Sequence, residues 1–160
     1  AELREAHRRR LHVLADAGAD VLAIETIPSP LEVEALALEL AALDMPAFVS
    51  LSADSTGFAG RGALAAALRE AASAPGVVAV GVNCCAPGSV LPALEDAPGL
   101  PLVVYPNTGE TWDAATRTWH GGAAPLADEA PAWVAAGARL VGGCCRSTPA
   151  DIAAIAAAVR

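Results

Sequence analysis

The sequence predicts an α/β fold in which a parallel sheet alternates with amphipathic helices. Three observations carry that prediction. Short apolar runs recur along the chain, each followed by a stretch with apolar residues at helical spacing. Turn residues separate them, giving an opening helix and then five strand–helix units, and this alternation calls for right-handed crossovers within one parallel sheet. The apolar content, 54% of the chain with only 4% aromatic, is mostly Ala, Val and Leu, which suits helices packed closely on a buried sheet.

Each element has its own signal. Residues 2–17 read as a helix, with Leu3, Ala6, Leu14 and Ala17 at helical spacing and Gly18 as the stop. DVLAIET (20–26) is a buried strand ending on a carboxylate. Pro28 and Pro30 break the chain before a helix over 31–43. AFVSLSA (47–53) is the second strand, and its tip runs into a Ser/Asp/Gly loop, 54–62. A helix over 63–74 stops at Pro75-Gly76, and 77–83 is the third strand. A short helix over 88–96 precedes the fourth strand, 100–105. The stretch 106–122 reads as a long loop carrying two of the three tryptophans, and loops of that length are often functional. A helix over 126–136 ends at Gly137, and 139–142 is the fifth strand. Pro149 and Asp151 open a last helix running to Val159.

Composition excludes several function classes. The net charge of −8 argues against a nucleic-acid partner, which requires clustered cations. Arg8-Arg9-Arg10 lies among Glu2, Glu5 and Asp16 and reads as a solvated helix face. All ten basic residues are arginine, so Schiff-base and P-loop lysine chemistry are excluded within this chain. No apolar run reaches the ~20 residues of a membrane span. The start shows no signal-peptide pattern, and adjacent Cys-Cys pairs read as metal ligands or reactive thiols, so a cytoplasmic location is expected. The chain begins inside a helical pattern without Met, which suggests a piece of something longer.

In a parallel α/β sheet the strands end at one edge, and function collects in the loops there. That edge carries Glu25-Thr26, 52–54, 83–85, 105–108 and Cys144-Cys145. The opposite edge carries Gly18, 44–46, Pro75-Gly76, 98–101 and Gly137, which are turn residues. The asymmetry predicts an enzyme or a ligand binder.

All four cysteines lie at the functional edge, in VVAVGVNCCAP (77–87) and ARLVGGCCRSTP (138–149). Successive strand residues point to opposite faces, so Cys84 and Cys85 cannot both face inward unless the strand ends at Asn83. Cys144 and Cys145 follow two glycines, where the backbone is free to turn. The expected metal set is therefore Cys84, Cys144 and Cys145 around Zn2+, with the fourth tetrahedral position open, as in a catalytic site. A substrate thiol entering there would lose its proton and attack an electrophilic methyl group. The competing readings are small apolar core cysteines, a closed four-thiolate zinc that adds Cys85, and a vicinal disulfide.

GVNC (81–84) and GGCC (142–145) on the strand ends of a parallel α/β chain resemble the zinc-dependent homocysteine S-methyltransferases. IETIPSPLEVEA (24–35) and VVYPNTGETWD (103–113) are most similar to the branch that uses S-methylmethionine or S-adenosylmethionine. The resemblance covers essentially the whole chain. It implies homocysteine and a sulfonium methyl donor as substrates, methionine as product, and Cys84, Cys144 and Cys145 as zinc ligands. Glu25 would hold the homocysteine ammonium, and Asn83 would order the site beside the metal. Cys85 departs from the most familiar members and is read as a bystander. The implied fold is a (β/α)8 TIM barrel of which residues 1–160 form five C-terminal units, the N-terminal three being absent. Unpaired edge strands and impaired turnover would follow. Two other functions are weighed against this: a non-catalytic metal-binding or thiol-redox module, and a complete five-stranded domain binding a small ligand. The second lacks a Gly-rich phosphate loop, and GFAGRG (57–62) has the wrong spacing for one.

Overall fold

The computed structural model describes residues 2–43, 45–54 and 57–160. Asp44 of one predicted turn, and Ser55 and Thr56 of the predicted loop 54–62, lie outside the described residues. Helix α1 (Glu2–Asp16) leads into five strand–helix steps. These are β1 (Leu22–Ile27) and α2 (Pro30–Leu40), β2 (Ala47–Leu51) and α3 (Arg61–Ser73), then β3 (Val77–Asn83) and α4 (Val90–Leu94). They continue with β4 (Leu102–Tyr105), a hairpin of β5 (Thr111–Asp113) and β6 (Thr118–His120), α5 (Leu126–Ala135), β7 (Ala138–Val141) and α6 (Pro149–Ala158). The main sheet is five-stranded and parallel, in the order β1-β2-β3-β4-β7. Among the described residues no helix is long and apolar enough to cross a membrane.

The pleat divides the sheet into two unlike faces. Ile24, Val49, Leu51, Val80, Val82 and Val104 are buried in one apolar cluster with Val33, Leu36, Leu40, Leu64, Leu68 and Trp133 of the helices. That cluster is where apolar burial, at about 25 cal/mol per Å2, holds the layers together. The register places Ala23, Glu25, Ser50, Gly81, Asn83, Val103, Tyr105 and Leu140 on the other face. There Ala23, Glu25 and Leu140 are exposed, and β1 and β7 are the edge strands. Gly81 is required at its position: a Cβ would lie 1.8 Å from the Val103 carbonyl oxygen.

Three expectations need correction. The long loop 106–122 contains the antiparallel β5–β6 hairpin, whose strands of three residues each are too short to show alternation. The short helix over 88–96 is a 3-10 turn, Pro87–Ser89, followed by α4, because Pro92 and the Gly88-Ser89 pair weaken a longer helix. The second strand stops at Leu51 rather than 53, since the chain turns into the loop at Ser52. At the other end of the chain, α6 starts where its proline predicted. Thr148 and Asp151 form a reciprocal capping box there.

Candidate metal centre at the C-terminal edge of the sheet

Two cysteine-bearing loops leave β3 and β7 and meet above β4. Strand β3 ends at Asn83, and Cys84 takes a left-handed backbone, φ 49°. For a non-glycine residue that costs about 1 kcal/mol. The turn breaks the strand alternation: Cys85 is buried at 1% exposure within the core, while Cys84 lines a cleft. The other loop follows Gly142-Gly143. A Cβ on Gly143 would fall 2.7 Å from Cβ of Ser147, so glycine lets this turn close tightly.

Three thiols converge. Cys84 Sγ lies 3.9 Å from Cys145 Sγ, and Cys144 Sγ lies 4.0 Å from Cys145 Sγ. All three sulfurs are within 4.8 Å of one another, and among the described residues this is the one such set of metal-ligating side chains. Sulfurs bound tetrahedrally at ~2.3 Å would sit ~3.8 Å apart, so the spacing fits one ion. Burial, and then the negative charge of Cys144, push the Cys84 thiol up to about 12. Burial and the neighbouring Cys145 raise Cys144 as well. Cys84 and Cys144 thus hold their protons until a cation replaces them. Cys85 is also pushed up to about 12, chiefly by burial, and lies outside the set.

A strap from the end of β4 fixes both loops at once. The Asn107 N–H donates to the Cys85 carbonyl at 2.9 Å, and its side-chain Oδ1 accepts from the Cys145 N–H at 3.1 Å. The Cys144 N–H donates to the Pro106 carbonyl at 2.7 Å, and the Thr108 N–H to the Cys145 carbonyl at 3.2 Å. Asp54 holds the far side of the first loop, accepting from the Ala86 N–H and from Ser89 Oγ, each at 2.6 Å. Glu110 accepts from Arg146 at 3.2 Å and from the Thr108 hydroxyl, tying the second loop to the hairpin.

Glu25 and Asn83 occupy one hydrogen-bond chain on the inner face. Asn83 is 1% exposed. Its Oδ1 accepts from the Thr26 N–H at 2.9 Å and from Ser50 Oγ at 2.8 Å, while Nδ2 donates to Thr26 Oγ1 at 2.7 Å. These bonds hold Thr26 in its left-handed backbone, φ 60°, so Asn83 links the ends of β1 and β3. The Tyr105 hydroxyl donates to exposed Glu25 at 3.0 Å and lies 2.6 Å from Ser50 Oγ. Two hydroxyl protons therefore serve three contacts. Burial, and after it the charge of Glu25, push the Tyr105 phenol upward, which keeps it a proton donor.

The cysteine loops, the strap and the hairpin surround a cleft of about 770 Å3. Sequence reasoning placed Asp54, Tyr105 and Asn107 at the functional edge without giving them a role, and passed over Ser50. Each acts through a partner more than 30 positions away, which no local pattern reveals. A family model described as homocysteine S-methyltransferase matches residues 1–159. The chain belongs to that family.

Relatives place the cleft in context. The homocysteine S-methyltransferase of Escherichia coli is 49% identical over 159 residues, covering 94% of this chain and 51% of its own length. Homocysteine S-methyltransferase 4 of Zea mays is 43% identical, covering 99% of this chain and 50% of its own. The metallated crystal form of the Escherichia coli homocysteine methyltransferase MmuM superposes with a TM-score of 0.79 at 42% identity, over 98% of this chain and 51% of that one. MmuM is a TIM-barrel enzyme, and the chain spans about half the length of the relatives it matches.

Proposed function

We propose that this chain takes part in transfer of a methyl group from a sulfonium donor to homocysteine, forming methionine. The observation that carries the reading is the convergence of the Cys84, Cys144 and Cys145 sulfurs to within 4.8 Å of one another in a member of this family. Their spacing fits zinc, and Cys84, Cys144 and Cys145 would hold it. Bound there, zinc supplies a Lewis acid that favours the thiolate form of a further sulfur ligand.

The chain's own residues do the rest. Glu25 is exposed on the inner face and offers a carboxylate to the homocysteine ammonium. When Glu25 accepts from that ammonium, the Tyr105 proton can turn to Ser50, so the polar chain adjusts without leaving a buried hydroxyl unpaired. Asn83 positions Thr26 at the cleft and does not itself reach it. In the transfer, the donor C–S bond breaks and its electron pair stays on the donor sulfur, which becomes a neutral thioether. The homocysteine sulfur forms the new C–S bond, and its thiol proton leaves to solvent.

Exposed inner-face residues on both edge strands, Ala23 and Glu25 on β1 and Leu140 on β7, support slow turnover unless further strands cover that face. Four free thiols fit a reducing compartment such as the cytoplasm.

X-ray absorption at the zinc edge tests the reading. Three sulfur ligands are expected for the loaded chain and four after homocysteine is added. A labelled methyl group should pass from S-methylmethionine to homocysteine. An unchanged sulfur count with no label in methionine would leave a metal-binding module instead. Rapid turnover by the purified chain would refute the slow-turnover statement alone.

A further inference from the structure

We infer that the β5–β6 hairpin is the seat of the cationic methyl donor, with Trp112 and Trp119 receiving its sulfonium. This rests on the proposed methyl transfer and adds to it where the donor binds. Trp112 and Trp119 stand directly opposite each other on the hairpin, with ring centroids 5.3 Å apart and planes tilted by 53°. Both line the cleft that Cys84 and Cys145 line. The third tryptophan, Trp133, is fully buried in the core, yet Trp112 keeps 48% of its surface exposed. Two aromatic side chains, one of them half exposed, thus line the same cleft as two of the thiols.

The charge of the cleft selects what those faces would take. Among its described lining residues, Asp54 and Glu110 are acidic and none is basic; Glu110 is paired with Arg146 at 3.2 Å, which leaves Asp54 as the carboxylate with no cationic partner among the described residues. An aromatic pair in a cleft of that sign attracts a cation through the negative faces of its rings. A sulfonium carries a full positive charge before transfer and none after it. The same rings therefore hold the donor and lose their electrostatic grip on the neutral thioether product.

A simpler role is to staple a hairpin whose strands are short. The hairpin has other fastenings. Asp113 Oδ1 accepts from the Ala115 N–H at 2.8 Å and the Thr116 N–H at 3.3 Å, closing the turn. Thr118 Oγ1 lies 2.7 Å from Thr116 Oγ1 and 2.8 Å from His120 Nε2. Stapling alone also gives no reason for Trp112 to line the cleft with about half of its surface exposed.

Calorimetric titration of the zinc-loaded protein with S-methylmethionine, and with its neutral carbon isostere in which CH replaces the sulfonium sulfur, tests the assignment. The unaltered protein should prefer the sulfonium. Trp112→Leu or Trp119→Leu should weaken sulfonium binding about 10-fold and change isostere binding less than about 2-fold, with the Phe variants between. Circular dichroism of the Phe variants, which keep a ring on each strand, controls for loss of the hairpin. Equal losses for both ligands, or no preference in the unaltered protein, would overturn the seat. Methyl transfer with unchanged donor KM in both Leu variants would overturn it too while leaving the proposed reaction standing. Ring-dependent sulfonium binding with no methyl transfer would do the reverse.

Discussion

The same dipeptide, Cys-Cys, lies in the two loops that leave β3 and β7 and meets two fates. Of the first pair, Cys84 turns to the cleft and Cys85 is buried at 1% exposure. Of the second, both sulfurs stay within reach of Cys84. The difference lies in the backbone. Cys84 follows the last strand residue directly and turns in one left-handed step, which sends the next side chain into the core. Cys144 comes after Gly142 and Gly143, beyond the last residue of β7, so the loop has already departed from the strand's alternation. Adjacent identical residues are thus not equivalent ligands. The local turn decides which can serve.

Substitution breaks the comparison most sharply. Cys84→Ser, Cys144→Ser and Cys145→Ser should each lower zinc affinity at least about 100-fold, the upper end of what loss of an outer-shell partner costs. Cys85→Ser should keep zinc and instead lose about 1–3 kcal/mol of stability for a hydroxyl placed in the core. Metal content by mass spectrometry and denaturant unfolding read the two effects separately. Zinc loss in Cys85→Ser with retained folding would end the distinction.

The glycines sharpen it. Gly81→Ala drives a Cβ into the β4 backbone and should cost about 3 kcal/mol or more of folding stability. Gly143→Ala meets Ser147 instead, in the turn just after Cys145, and should weaken metal binding more than folding. The pair of unfolding curves and zinc titrations would show whether the two loops are pinned by different means. Asn107→Ala removes the acceptor for the Cys145 N–H while sparing the backbone bond to Cys85. Zinc affinity should fall about 10–100-fold, with little change in stability. A stability loss with intact metal binding would make the strap a packing feature.

The smallest effect on the metal site comes from a pair far from the cysteines. Hydrogen bonds from Arg8 and Arg4 hold the Glu39 carboxyl down to about 2, against an ordinary value of 4.5. A depressed carboxyl stabilises the fold above its ordinary value and loses that stabilisation as pH falls through its folded value. The thermal midpoint advantage over Glu39→Gln should therefore be full at neutral pH and fade as the pH drops from 4.5 toward 2. Zinc binding near neutral pH should not change, since Glu39 joins α1 to α2 and not the cleft.

Much of this was legible in the residues because it is local. Apolar runs and helical spacing marked each strand–helix unit, and the GVNC and GGCC stretches marked the family and the cysteines that converge. Gly142-Gly143 announced a free turn, and Pro149 with Asp151 announced a capped helix. The hairpin escaped because three-residue strands carry no period, and its tryptophans read only as part of a loop. Asn83 offered its identity but not its partner: it reaches Thr26 across 57 positions and Ser50 across 33.

Residue order alone was enough to show that strands and helices alternate, that the cysteines sit at strand ends, and that the chain cannot use lysine chemistry. Periodicity and composition are properties of neighbours along the chain, so they survive without coordinates. It took the folded arrangement to show that the Cys84, Cys144 and Cys145 sulfurs cluster while Cys85 stays out, that Asn107 clasps both loops, and that two tryptophans line the same cleft as Cys84 and Cys145. Those facts depend on which loops the parallel sheet brings to one edge and on the backbone angle of a single residue, Cys84.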